Sequence, residues 1–195
     1  MKAVFLDRDG VINENRDNYV KSLTEFHFLP GALEALALLA TTPLAVVVVT
    51  NQSAVGRGRM SEATLTAIHD WMLARVRDAG GRIDAVYTCP HRPEDACSCR
   101  KPQPHLLYQA AWELGIDLQR SVFVGDSVSD ARAARAAGCD FILVLTGHGL
   151  EARAELARVG GQDHAVAATL KEAIEQLLAR EMPEAVGQRV SGATG

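Results

Sequence analysis

Two carboxylates stand two residues apart in the string Val4-Phe5-Leu6-Asp7-Arg8-Asp9-Gly10-Val11. The apolar run before them, residues 3–6, reads as a short buried strand, and Gly10 lets the chain turn where that strand runs out. Side chains two apart on an extended chain point to the same side. Asp7 and Asp9 are therefore aimed into one small space at the C-terminal end of a strand, where open α/β sheets bind their ligands. Like charges held this close repel, and one pKa rises unless a cation bridges them. Mg²⁺, a hard ion that takes carboxylate and phosphate oxygen together, suits such a pair. A solvated acidic turn is the alternative, and Asp-x-Asp-Gly alone does not separate the two readings.

Other positions carry compatible chemistry. The run Val46-Val47-Val48-Val49 ends in Thr50-Asn51-Gln52-Ser53, with Gly56 and Gly58 close behind. A hydroxyl and backbone N–H groups at a strand end can bind a phosphoryl oxygen; a helix-capping turn is the plainer reading. Val124-Gly125-Asp126-Ser127 puts Asp126 at a strand end as Asp7 is, with Asp130 four residues on. It can complete a metal site or simply cap a helix. Lys101, in Arg100-Lys101-Pro102, offers an ammonium to a phosphate or to a nucleophile, or else lies in a solvated basic turn. Cys89-x-His91 and Cys97-x-Cys99 place four soft ligands within eleven residues, a Cys₃His set suited to tetrahedral Zn²⁺. Four protein ligands leave no open position, so the zinc reads as structural, fixing a loop that delivers Arg100 and Lys101. Cys139 lies apart and reads as packing.

The elements that must position these residues alternate. Apolar, β-branched runs at 3–6, 44–50, 83–88, 121–125 and 141–145 are continuous, as in parallel strands covered on both faces. Helical spacing lies between them: Leu33, Leu36, Ala37 and Ala40; Leu65, Ile68, Met72 and Val76 after a Ser61 N-cap; Leu107, Ala110, Ala111 and Leu114; then residues 131–137. A late amphipathic helix is expected over 170–180. Alternation of this kind predicts a doubly wound parallel sheet. Residues 13–28 read as a short hairpin flap over the first strand's end, and no insertion is long enough for a separate cap domain. The expected organisation is one domain over 1–182 and a disordered tail over 183–195.

The chain has 195 residues and a net charge of −4. That charge gives no basic footprint for nucleic acid or anionic membrane. The longest apolar stretch is too short to span a bilayer, and no signal peptide is evident at the start. A cytoplasmic location is the default, and clustered cysteines in a reducing compartment suggest metal before disulfides.

Taken in order, Asp7-x-Asp9-Gly10, Thr50, Lys101 and Gly125-Asp126-x-x-x-Asp130 resemble the four motifs of the haloacid dehalogenase superfamily over about residues 1–150. The resemblance implies a Rossmann-like, capless fold and a phosphoaspartate mechanism. Asp7 would attack phosphorus. Asp9 would protonate the leaving oxygen and later activate water. Thr50 and Lys101 would hold the transferring group. Asp7, the Asp9 carbonyl and Asp126 would bind Mg²⁺, and Asp130 would position Lys101 or a metal-bound water.

Asp-Arg-Asp-Gly-Val, Thr-Asn-Gln-Ser and Cys-x-His…Cys-x-Cys-Arg-Lys-Pro narrow this further. They resemble the D,D-heptose 1,7-bisphosphate phosphatases of lipopolysaccharide and glycoprotein heptose synthesis, and also the related histidinol-phosphate phosphatases. The former remove the C7 phosphate and keep the C1 phosphate. On this resemblance Asn15, Arg16, Asp17 and Asn18 fall in a substrate-contacting flap, and Thr50, Asn51, Gln52, Ser53, Arg100 and Lys101 match binding positions. Ser127 stands where some members carry Lys, which removes a possible phosphate contact. The implied partner is a small phosphorylated sugar. Without a cap over it, the open site gives no reason to require a dimer, and a monomer is expected. A non-catalytic, zinc-stabilised interaction module is the reading from another class; retention of Asp7 and the other motif residues argues against it.

Overall fold

The computed structural model describes residues 1–158 and 164–181. Six strands, β1 (Ala3–Leu6), β2 (Ala45–Asn51), β3 (Ala85–Cys89), β4 (Val122–Gly125), β5 (Asp140–Val144) and β6 (Ala165–Ala167), form one sheet in the order β3-β2-β1-β4-β5-β6. Every pairing is parallel. Seven α-helices lie in the described residues: α1 (Ala32–Ala40), α2 (Ser53–Gly56), α3 (Glu62–Asp78), α4 (His105–Leu114), α5 (Val128–Ala137), α6 (Gly149–Arg158) and α7 (Leu170–Glu181).

The alternation of a strand's side chains divides the core in two. Val4, Leu6, Val46 and Val48 pack with Leu36, Ile68, Met72 and Ile174, which belong to α1, α3 and α7. Phe5, Val47, Val49 and Phe123 pack on the other face with Leu107, Ala110 and Ala134 of α4 and α5. Val46 to Val49 are wholly buried, each contributing about 1.5–3 kcal/mol of transfer free energy. A continuous apolar run is the form a doubly covered strand takes.

The chain winds from β1 outward through β2 and β3, then returns to the other side of β1 and winds through β4, β5 and β6. The reversal lies between β1 and β4, and open α/β sheets bind ligands in the crevice beyond such a switch point. Asp7 follows β1 and Asp126 follows β4, so both line that crevice.

The expected strands are present, with small shifts. β3 runs on to Cys89, which pairs with Asn51, so the first cysteine of the cluster ends a strand rather than opening a loop. Three elements were not legible. α2 is a single four-residue turn, Ser53–Gly56, too short to show helical spacing. β6 has three residues, only one of them buried. α6 buries Gly149, Ala152 and Leu156 beneath an otherwise charged helix, too sparse a pattern to register as amphipathic. The flap is a reduced hairpin. An Asn13–Phe28 bridge and a Glu14 N–H bond to the His27 carbonyl (2.9 Å) close its base, and one 3₁₀ turn, Leu23–Glu25, lies within it. Phe26 and Phe28 pack on Trp71 of α3, with centroids 5.6 and 5.9 Å away, and pin the flap to the body. The tail expected over 183–195 lies outside the described residues.

Candidate active site

A cleft of about 440 Å³ opens at the C-terminal ends of β1, β2 and β4. Asp7 stands at its floor. The Arg8 N–H donates to Asp7 Oδ1 at 2.7 Å, and Lys101 Nζ lies 2.9 Å from the same oxygen. Lys101 is buried; it also reaches Asp130 Oδ1 at 2.7 Å and donates to the Val49 carbonyl at 2.9 Å. Burial opposes its charge, but Asp130 and Asp7 outweigh burial and push its pKa up. Asp130 is thus seated on Lys101, and it doubles as the N3 residue of a capping box with Ser127 at the start of α5.

Asp126 receives the His148 N–H on Oδ2 at 2.8 Å. Burial raises Asp7 to about 7 against the attraction of Lys101, with Asp130 and Asp9 adding to the rise. Burial, then the charges of Asp7 and Asp130, raise Asp126 to about 8. Ligand oxygens of Asp7, Asp126 and Asp130 lie within 4.8 Å of one another. Carboxyls that neighbouring carboxylates drive toward neutrality are stabilised as anions by a cation. An all-oxygen donor set of this kind fits Mg²⁺. The close approach of three backbone segments makes this possible. Gly10 (φ +85°) and Gly147 (φ +56°) both sit against the Asp126 carboxylate, where a Cβ on either would collide with it.

Asp9 is held differently. Arg8 Nη2 donates to both its oxygens at 3.0 Å, Asn13 Nδ2 to Oδ1 at 2.9 Å and Gln52 Nε2 to Oδ2 at 2.7 Å. Desolvation acts to raise its pKa, but the Arg8 charge and these hydrogen bonds outweigh it and hold the carboxyl below its usual range.

The residues expected at the site divide into those that face the cleft and those that brace it. Asn15, Arg16, Asp17, Thr50, Ser53 and Arg100 line it. Arg100 Nη1 is anchored on the His91 carbonyl at 3.3 Å. Gln52 reaches the lining too, but it is 2 % exposed and its amide is committed to Asp9, Thr50 and Arg8. Asn51 lies in the lining as well, but it bonds the backbone of Lys101 through both ends of its amide, at 3.1 and 3.2 Å. It therefore fixes the lysine rather than offering a free amide. Asn18 is turned outward, its Oδ1 accepting from Arg59 at 2.8 Å, and it is absent from the lining. Sequence reasoning missed Tyr19, Ser129 and His148 in the wall. The Thr146-Gly147 pair just past β5 was the available signal for His148. Thr146 Oγ1 donates to the Gly10 carbonyl at 2.6 Å, tying that loop to the Asp-x-Asp-Gly turn.

The cysteine loop docks on the end of β2. The Gln52 N–H bonds the Cys89 carbonyl at 2.7 Å and the Gly56 N–H bonds the Pro90 carbonyl at 3.0 Å. Within the loop, Cys89 Sγ lies 3.6 Å from Cys97 Sγ and 3.1 Å from Cys99 Sγ, and His91 Nδ1 lies 3.2 Å from Cys99 Sγ. Sulfurs joined as a disulfide sit about 2.05 Å apart. Those around a tetrahedral zinc with bonds of about 2.3 Å sit nearly twice as far apart, so the spacing fits Zn²⁺. Burial and the neighbouring thiols raise Cys89. Cys97 falls to about 7, because hydrogen bonds from Cys89, Cys99 and backbone N–H groups outweigh its burial. Protein prepared under reducing, metal-replete conditions should carry about one Zn²⁺ per chain that survives chelation mild enough to strip Mg²⁺. Cys97→Ser should loosen the loop and raise KM through Arg100 and Lys101. Metal analysis showing no zinc in such preparations overturns both expectations.

Comparisons with known proteins supply the family. A family model described as "HAD-hyrolase-like" matches residues 98–173. The D-glycero-beta-D-manno-heptose-1,7-bisphosphate 7-phosphatase of Bordetella bronchiseptica is 46% identical over 155 residues, 80% of this chain and 87% of the relative. The enzyme of the same description from Pseudomonas aeruginosa is 44% identical over 147 residues, 75% of this chain and 83% of its own length. A crystal structure of the B. bronchiseptica D,D-heptose 1,7-bisphosphate phosphatase complexed with magnesium and phosphate superposes with a TM-score of 0.87 at 43% identity. It covers 92% of this chain and 99% of the other. With that identity sustained over most of both sequences and one shared fold, this chain belongs to the D,D-heptose 1,7-bisphosphate phosphatase family of haloacid dehalogenase-like hydrolases.

Proposed function

We propose that this chain is a Mg²⁺-dependent phosphatase that removes the C7 phosphate of D-glycero-D-manno-heptose 1,7-bisphosphate through an aspartyl-phosphate intermediate, in the cytoplasm, as a single-domain monomer. The chemistry rests on one observation above the others: Asp7 meets Lys101 and Asp126 in a single cleft at the sheet's switch point. The choice of sugar rests on the relatives, which are described as acting on the beta anomer of that heptose bisphosphate.

In the first step an Asp7 oxygen forms a bond to phosphorus as the bond from phosphorus to the sugar C7 oxygen breaks. Asp9 enters this step as the carboxylic acid, the minority form beside the Arg8 charge and the form the second step regenerates, and delivers its proton to that departing oxygen, which leaves as the C7 hydroxyl. In the second step a water attacks the phosphorus of the acyl phosphate. Asp9 takes its proton, the bond to Asp7 breaks, and inorganic phosphate is released. Thr50 and Lys101 hold the equatorial oxygens as charge shifts among them. Asp7, the Asp9 carbonyl and Asp126 would hold Mg²⁺, which when bound would neutralise carboxylate and phosphoryl charge. Asn15, Arg16, Asp17 and Ser53 form the wall that meets the sugar, and the zinc loop sets the position of Arg100.

Comparing turnover of the beta and alpha heptose 1,7-bisphosphates with that of histidinol phosphate tests the substrate. The beta bisphosphate should be preferred, and faster hydrolysis of histidinol phosphate overturns the choice. Arg100 is the candidate for the phosphate that stays, because a guanidinium holds an oxyanion by paired hydrogen bonds. Arg100→Ala should cost ~1.5–3 kcal/mol in kcat/KM for the bisphosphate, the range for hydrogen bonds to charged groups. A small monophosphate, lacking the second anion, should lose much less. Equal loss on both substrates would place Arg100 on the reacting phosphate instead.

A further inference from the structure

Arg8 sits between the two functional aspartates in sequence, yet its side chain points away from the cleft into the core, where it is fully buried. Its Nη2 forks onto both oxygens of Asp9 at 3.0 Å and onto Gln52 Oε1 at 3.1 Å. Its Nη1 meets His69 Nε2 at 3.0 Å. Phe26 of the flap lies against the guanidinium, 5.8 Å from its carbon to the ring centroid, and Nε has no partner among the described residues. A buried cation is costly unless it is paired and hydrogen-bonded. Among the described residues, Arg8 has one carboxylate within reach to pair with, Asp9.

His69 completes the arrangement. Every nitrogen of an arginine is a donor, so the contact requires His69 to accept at Nε2 and to carry its own proton on Nδ1. Burial and the Arg8 charge keep the imidazole neutral, lowering its pKa to about 4. A neutral acceptor satisfies one arm of the guanidinium without drawing its charge away from Asp9, as a carboxylate at this position would. α3 lends rigidity: His69 is flanked by Ile68 and Met72, both wholly buried. The consequence falls on Asp9. Four hydrogen bonds from Arg8, Asn13 and Gln52 fix its carboxylate, while its side chain stays 23% exposed toward the cleft.

We propose that Arg8 and His69 are positioning residues for the proton-transfer step: the pair braces Asp9 from behind, so that its carboxyl meets the sugar oxygen that departs and then the water that enters. The proposal rests on the acid–base reading of Asp9 given above. It requires orientation to matter most where a proton must be delivered. An alkoxide is a poor leaving group and needs that proton, whereas a nitrophenolate does not.

The experiment is single-turnover phosphorylation of the Mg²⁺- and Zn²⁺-loaded protein with heptose 1,7-bisphosphate and with p-nitrophenyl phosphate. His69→Leu removes the acceptor. It should slow the sugar substrate by about 10–100-fold, part of the ~10²–10⁴-fold that general acid catalysis supplies, and the aryl substrate by less than about threefold on the same grounds. His69→Gln restores an acceptor and should recover most of the loss. Arg8→Lys keeps the charge, but one ammonium cannot span Asp9, Gln52 and His69, so it should show the same split; it serves as the second variant should His69→Leu fold poorly. Equal losses on both substrates, no loss on either, or no recovery in His69→Gln overturns the proposal. Asp9→Asn run alongside separates the two levels. If it shows no dependence on leaving group, the acid–base reading of Asp9 itself fails. If it does and the Arg8 and His69 variants do not, only the bracing role fails.

Discussion

Asp7→Asn should lower turnover at least ~10³-fold, and acid-quenched enzyme should lose the covalent phosphoryl group that wild type accumulates. Asparagine has the shape of aspartate and can still accept the Arg8 N–H and face Lys101, which now meet Asp7 Oδ1 at 2.7 and 2.9 Å. What it lacks is an anionic oxygen to bond phosphorus. No neighbour can substitute: Asp126 receives the His148 N–H, Asp130 is held by Lys101 and Ser127, and Asp9 is clamped by three side chains. The substitution also removes one of the charges that raise Asp126, so the folded protein should be no less stable than wild type. Thermal melting beside the turnover assay separates lost chemistry from lost fold. Activity within tenfold of wild type, with normal melting, rejects the aspartyl-phosphate mechanism.

Much of this arrangement is legible in the chain, because its logic is local. Asp7 and Asp126 both follow short runs of apolar residues, and a run of that length, rich in β-branched residues and followed by helical spacing, reads as a covered parallel strand. The Cys₃His set is legible for a similar reason: four ligands within eleven residues need little folding to meet. Long-range partners are harder. Arg8 reads as a charged turn residue, and nothing near it in sequence points to His69, sixty-one positions away on α3. His69 in turn lies next to the apolar stripe that period analysis assigns to the core. Asn51 and Gln52 show the other limit. Residue type marks them as polar groups at a strand end, but only the fold reveals that one amide grips the Lys101 backbone and the other bridges Asp9, Thr50 and Arg8. Gly147 is informative only once the loop after β5 is seen against Asp126.

Lys101→Met should damage both fold and chemistry, and a second substitution should separate the two. The ammonium lies 2.9 Å from Asp7 and 2.7 Å from Asp130, over the Phe123 ring at 5.4 Å, with its side chain 2% exposed. Methionine fills nearly the same volume, so packing changes little. The loss is electrostatic: two carboxylates remain in a water-poor site without their cation. Removing one partner from a buried ion pair costs about 3–5 kcal/mol, and urea denaturation should show a drop of that order. Turnover should fall by about 10²–10³-fold, the scale for losing one preorganised charge on a developing transition state. Asp130→Asn added to Lys101→Met removes one of the stranded charges, and its amide can still accept the Ser127 N–H that Asp130 now holds at 3.1 Å. The double variant should recover most of the lost stability while turnover stays low, because nothing then neutralises the phosphoryl oxygens from that side. Recovery of both stability and turnover would reduce Lys101 to a structural counter-ion. Failure to recover either would mean that Asp130 has a role of its own in the site beyond holding the lysine.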